Sequence, residues 1–305
     1  MSQPSTPFWH LLGAGSIGTL FAAGLNRRQC PPRLILRTAD QPVSTLTLCH
    51  GDQRYRFNAA AETAATDTPI RRLLVTTKAY QSVSALDSIA HRLTPDAVIV
   101  VLHNGYGPQQ QIAHRWPQLR IYAGTTTEGA YRHNAREVVH AGLGETWLGP
   151  INHAAKLAGS APLAPLLELE LGVSYDSEID TRLWQKLALN AAINGLTVIH
   201  DCQNGELARQ PEMRAQMAAL CAETEAIAQA LGQPLFDQPL FTRALVVAEA
   251  TGSNYSSMLQ DVRHGRRTEL DSINGTLCQL AEQTQIEAPT HHWLVTEVNR
   301  RINGN

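Results

Sequence analysis

The chain has 305 residues, and its 25 Lys and Arg against 27 Asp and Glu leave a formal charge of −2. A pI near 6.6 and 43% apolar content describe a chain long enough for two cores, without the basic excess of a nucleic-acid binder. The longest aliphatic run, residues 97–102, is far short of the ~20 residues that cross a bilayer; the five scattered cysteines (Cys30, Cys49, Cys202, Cys221, Cys278) include no CxxC pair and suit reduced thiols in a cytoplasm.

In chain order, residues 8–12 predict a strand, 16–25 a helix and 33–37 a second strand. The apolar stretch after Phe8 is broken by Gly13, Gly15 and Gly18, and Arg27 and Arg28 follow it rather than precede it, so no secretory leader is expected. Residues 45–49 and 54–57 predict a strand pair around His50–Gly51–Asp52. The β-branched apolar runs 73–77 and 98–102 each lead into turn residues and then a helical stretch, the rhythm of βαβ units with a buried, largely parallel sheet. Residues 138–140 and 146–148, joined across Gly142 and Gly144, predict a hairpin that closes this half, and 161–171 predict a helix with Pro162 in its first turn.

From about Thr181 the apolar spacing becomes that of helices, over 181–194, 213–231, 239–250, 254–263, 269–283 and 292–302, with breaks at Gly232–Gln233–Pro234 and Gly265. The pattern predicts an α/β domain with a doubly wound, Rossmann-type sheet over residues 1–176 and an all-α domain over 177–305.

Gly13–Ala14–Gly15–Ser16–Ile17–Gly18 lies between the first strand and the first helix. Glycines there let backbone N–H groups at a helix N-terminus approach a pyrophosphate with no Cβ in the way. A carboxylate about 20 residues on would hold the ribose 2′-OH of NAD. Here the second strand ends in Arg37, 19 residues beyond Gly18, which favours the 2′-phosphate of NADP(H) over a plain surface role.

Lysine is almost avoided, with Lys78, Lys156 and Lys186 against 22 arginines. Lys78 follows the third core strand, as His103–Asn104–Gly105 follows the fourth, at the sheet edge where doubly wound folds bind ligands. Lys186, Asn190 and Asn194, spaced i, i+4, i+8, share one face of an otherwise apolar helix. Such a narrow, amide-rich stripe fits a wet cleft wall better than a solvated face. A second group, Asn254, Ser257, Asp261 and Glu269, admits a plainer reading, with Asn254 as a helix cap and Glu269 as a first-turn acid. No histidine set resembles HExxH, and no metal is expected.

These motifs, with Thr77–Lys78–Ala79–Tyr80–Gln81, Gly124–Thr125–Thr126–Thr127, Asn204–Gly205–Glu206–Leu207 and Ser256–Ser257–Met258–Leu259–Gln260–Asp261, resemble those of the ketopantoate reductases (2-dehydropantoate 2-reductases) over nearly the whole chain. The resemblance implies NADPH-dependent reduction of 2-dehydropantoate to (R)-pantoate, on the route to pantothenate and coenzyme A. It implies Lys186 as proton donor, with Asn190, Asn194, Asn204, Asn254, Ser257 and Asn104 on the substrate. It places NADPH against residues 13–18, Arg37, Lys78, Asn104, Ala130 and Glu269. Two positions depart from the family pattern: Glu128 after the threonine triplet, and Gly195 where a proline is expected. The alternatives are a reductase of another branched 2-keto acid, a 3-hydroxy acid dehydrogenase on the same fold, and a non-catalytic NADPH-sensing protein. The expected partner is a small-molecule substrate, with no nucleic acid and no membrane, in a monomer or homodimer.

Overall fold

The computed structural model describes residues 8–38 and 43–304. The chain divides into two compact units: the first runs to Ile179, and the second takes Asp180 onward together with Asn104–Gly107.

The first unit contains β1 (His10–Leu12), α1 (Ser16–Arg27), β2 (Arg33–Ile35), β3 (Val43–His50), β4 (Gln53–Glu62), β5 (Ile70–Val75), α2 (Ala79–Ser88) and β6 (Leu93–Leu102). It continues with α3 (Pro108–Arg115), β7 (Arg120–Thr126), β8 (Gly129–Asn134), β9 (Glu137–Gly142), β10 (Thr146–Pro150), α4 (His153–Ala158), α5 (Ala164–Leu167) and β11 (Val173–Tyr175). The described strands form one sheet in the order β11-β10-β7-β6-β5-β1-β2-β4-β3-β9-β8. Strands β7-β6-β5-β1-β2-β4 run parallel, with Leu11 level with both Leu34 and Leu74.

Alternation along these strands feeds two cores. Leu11, Leu34, Leu74 and Val100 pack with Leu20 and Phe21 of α1, while Leu12, Ile35, Leu73, Val75 and Val101 pack with Leu86 of α2 and Ile112 of α3. A strand covered on both faces reads as a nearly continuous apolar run, which is why its sequence shows little polar alternation. Because β1 has β2 on one side and β5 on the other, the strand order reverses there, and the loops after β1 and β5 meet at the switch point.

The hairpin expected from residues 138–140 and 146–148 does not form. Strand β9 pairs with β8 and β3, whereas β10 pairs with β7 and β11. The cause lies in β7 and β8, which the sequence reading left out. They offer β10 and β9 antiparallel partners on opposite edges, and the Gly142–Gly144 link only carries the chain across. At Gly144 an added Cβ would lie 2.4 Å from the Thr127 carbonyl carbon. The helix expected over 161–171 is likewise reduced to a 3₁₀ turn, Ala161–Leu163, and the short α5.

The second unit consists of α6 (Ile179–His200), α7 (Asn204–Arg209), α8 (Pro211–Ala230), α9 (Leu240–Ala250), α10 (Ser257–Arg263), α11 (Asn274–Thr284) and α12 (Pro289–Asn303). Pro211 and Pro289 open their helices at a position whose N–H has no intrahelical partner in any case. Trp184, Leu187, Ala188, Ala191 and Leu196 bury α6 in the core of this unit. Asn274 ties α11 to α6 by donating to the Ala191 carbonyl at 3.0 Å. The Asn104–Gly107 segment is stapled into this unit, since Tyr106 N–H donates to the Ser272 carbonyl at 2.9 Å and its hydroxyl to Asp180 at 3.0 Å. Gly105 has φ +86°, and a Cβ there would lie 2.4 Å from Ser272 O, so only glycine permits this approach.

Candidate active site

In the first unit the turn between β1 and α1 packs against the end of β5. A Cβ on Gly18 would lie 2.1 Å from the Gly13 carbonyl oxygen, and one on Gly13 (φ +107°) 2.7 Å from Thr77 N. These two glycines therefore serve the turn's own closure. Gly15, the N-cap of α1, differs: an added Cβ would meet nothing nearer than Thr76 O at 4.0 Å. Open space before a helix N-terminus is what a dinucleotide's pyrophosphate requires. Thr76 supports the turn, taking the Leu12 carbonyl with its N–H at 2.9 Å and the Gly13 carbonyl with its hydroxyl. Thr77 Oγ1 is a buried hydroxyl with no hydrogen-bond partner among the described residues. The residues present thus fit a nucleotide cofactor.

Around this turn, Arg37 is exposed two residues past β2, and Lys78 is the N-cap of α2 directly after the β5 loop. Ala130 lies on β8, level with His140 of β9. Glu128, the charge out of place by sequence, is buried. It lies 2.6 Å from His140 Nε2 and accepts the Gly144 N–H at 3.1 Å, so its carboxylate has local partners. Sequence reasoning missed the supporting threonine Thr76; the signal for it was a Thr pair closing an apolar strand at the switch point.

The second unit assembles the polar stripe. Lys186, Asn190 and Asn194 all lie on α6, and Asn194 is only 8% exposed. One turn further along α6, Thr197 Oγ1 meets Ser256 Oγ at 2.6 Å, which places the start of α10 beside the stripe. Ser256, not Asn254, caps α10: its Oγ accepts the Leu259 N–H at 3.0 Å, and the helix begins at Ser257 rather than at 254. The backbone carbonyl of Asn254 instead accepts the Asn204 N–H at 2.9 Å, which brings those two residues together. Asn204 donates to Thr251 Oγ1 at 2.9 Å, and its buried Oδ1 has no partner among the described residues. Asp261 is buried against Arg266, Nε to Oδ1 2.9 Å, and closes the turn after α10.

Asn104 donates to Glu269 Oε2 at 3.1 Å, and Glu269 is buried just before the 3₁₀ turn Leu270–Ser272. Its charge acts on Lys186. Burial pushes the Lys186 ammonium down to about 8 and outweighs the Glu269 carboxylate, which raises it. The arrangement is a buried lysine whose ammonium loses its proton more readily than a free one, on the same helix face as two amides and under the charge of a buried carboxylate.

Two family models match the chain: Ketopantoate reductase PanE/ApbA over residues 9–153, and its C-terminal counterpart over 178–301. The chain is 34% identical over 289 residues to the 2-dehydropantoate 2-reductase of Vibrio cholerae serotype O1, covering 94% of this chain and 95% of that protein. Among solved structures it resembles a PanE/ApbA family ketopantoate reductase from Ralstonia eutropha JMP134, with TM-score 0.86, 24% identity, and 98% and 99% of the two chains covered. It also resembles a D-mandelate dehydrogenase solved with NADH and anilino(oxo)acetate, with TM-score 0.87, 22% identity, and 97% and 99% covered. With matches along both units and a relative one-third identical over nearly its full length, the chain belongs to the ketopantoate reductase family.

Proposed function

We propose that this chain reduces 2-dehydropantoate to (R)-pantoate, taking the hydride from NADPH and the proton from Lys186. The observation that carries the reading is the lowered Lys186 ammonium on the amide-lined face of α6, with the Glu269 charge acting on it. Bound NADPH would supply the hydride. As the ketone oxygen gains negative charge, the Lys186 Nζ stabilises it and then delivers its proton. Glu269, fixed by the Asn104 amide, keeps Lys186 charged against its burial.

The buried, unpaired Oδ1 of Asn204 favours a substrate that carries a hydroxyl to donate, as 2-dehydropantoate does, over a plain 2-keto acid. Asn190, Asn194, Asn254 and Ser257 complete the substrate contacts. In the first unit the open face of Gly15, with Ala14, Ser16 and Ile17 around it, takes the pyrophosphate, Arg37 the 2′-phosphate, and Lys78 and Ala130 the remainder of the cofactor. A cytoplasmic location is part of this reading and rests on the family alone; among the described residues no helix is long and apolar enough to cross a membrane.

The test is NADPH oxidation over a panel of 2-keto acids, by the wild type and by Lys186→Ala. The wild type is expected to prefer 2-dehydropantoate. The variant is expected to lose about 10²- to 10⁴-fold in kcat, with unchanged NADPH affinity by fluorescence titration. A variant that keeps kcat within about threefold of wild type would assign the proton to another group.

A further inference from the structure

We propose that Arg132 is a pyrophosphate-binding residue of the cofactor site, a role that rests on the NADPH reading above. Arg132 lies on β8, the edge strand of the sheet, and its side chain is exposed. Its Nη2 donates to the carbonyl of Ala14, the second residue of the glycine-rich turn, at 2.5 Å. The guanidinium is therefore held one residue from Gly15, the open face at the N-terminus of α1.

Among the described residues Arg132 has no carboxylate within ion-pair distance. Other exposed arginines do, including Arg71 with Asp96, Arg115 with Asp87, and Arg263 with Asp201. A cation fixed on the phosphate-binding turn without a counter-ion is suited to an anion arriving there. A guanidinium has five N–H donors, so one can remain on Ala14 while others form a charge-assisted pair with a phosphate oxygen. Its place in the fold also separates it from Arg37. Arg37 follows β2, where the adenosine ribose is expected, whereas Arg132 is bonded to the turn that faces the pyrophosphate.

The experiment is fluorescence titration of NADPH and of NADH into wild type, Arg132→Ala, Arg132→Lys and Arg37→Ala, each over a range of salt concentrations. A pyrophosphate contact is present in both cofactors, so Arg132→Ala should weaken both by roughly 10- to 100-fold, and Arg37→Ala should weaken NADPH alone. Arg132→Ala should also flatten the salt dependence of binding, because one charge pair is lost, and Arg132→Lys should keep that dependence. Thermal unfolding without cofactor should be unchanged, since the side chain is exposed. Unaltered affinities would overturn the proposal, and so would loss of NADPH binding alone, which would place Arg132 on the 2′-phosphate. Weaker binding with an unchanged salt dependence would also overturn it, by making Arg132 a brace for the turn. A wild type that binds neither cofactor would instead overturn the reading on which the proposal rests.

Discussion

At Lys186 two opposed effects act on one proton. Burial of the ammonium lowers its pKa to about 8, and the Glu269 carboxylate limits the fall. If Lys186 is the general acid it must be protonated to act, so kcat/KM should decline as pH rises through this value, giving an alkaline limb near pH 8. Glu269→Gln removes the charge that opposes desolvation and leaves an amide of similar shape. The limb should then move below pH 8, while the acid side of the profile stays in place. A kcat/KM–pH profile of the two proteins checks this, and an unmoved limb would show that the titrating group is not Lys186. Scarcity made this lysine legible in the sequence, as one of three beside 22 arginines. The Glu269 partnership was not legible, because the two residues lie on separate helical segments and meet only in the folded unit.

Between elements, one glycine sets the contact of two helices. Gly195 of α6 lies under Leu294 of α12, and a Cβ there would fall 2.4 Å from Leu294 Cδ2. Leu294 is fully buried, so it has little room to withdraw. Overpacking of this kind costs roughly 1–3 kcal/mol, against a helix-propensity gain of at most about 1 kcal/mol for Gly→Ala. Gly195→Ala should therefore lower stability by about 1 kcal/mol in urea unfolding. In a Leu294→Ala background the clash is gone, and the same substitution should become neutral or stabilising; additive effects would show that the two side chains do not compete. The glycine that stood out by sequence as a departure thus has a packing reason on the neighbouring helix.

For the molecule as a whole, two buried histidines contribute to the response to acid. His291 is fully buried between Thr224 Oγ1, 2.9 Å from its Nε2, and the Asn274 amide, 3.2 Å from its Nδ1. With the amide donating to Nδ1, the ring is neutral and carries its proton on Nε2. Burial lowers its pKa to about 4. In the first unit His10 is likewise lowered to about 4, chiefly by burial, although its Nε2 lies 3.0 Å from Glu62. Both folded pKa values lie below the unfolded value near 6.5, so the unfolded chain binds more protons in acid. The stability that each neutral ring contributes is fully present above about pH 6.5 and is lost as pH falls toward 4, by up to about 3 kcal/mol for each ring. His291→Gln should begin less stable at pH 7 but lose less between pH 7 and 4, as read from urea midpoints at each pH. Parallel losses in the two proteins would show that His291 protonates without unfolding its surroundings.

Most elements were legible in the sequence in kind and order, because apolar periodicity and turn chemistry are local properties. However, β7, β8 and α7 were not, and the helix expected over 161–171 was too long. The run 98–102, the glycine turn and the Lys186–Asn190–Asn194 stripe were all readable within a few turns or strands of chain. Tertiary structure alone decided which strands pair. Residues 137–150 carry strand-like patterns that suit a hairpin, yet β9 and β10 go to different neighbours because β7 and β8 compete for their edges. It also decided that Asn104–Gly107 belongs with the helical unit, through Ser272, Asp180 and Thr276, none of them near in sequence. Electrostatics was the least legible, since both the partner of Glu128 and the direction taken by Lys186 depend on desolvation and charge that distant segments bring only on folding.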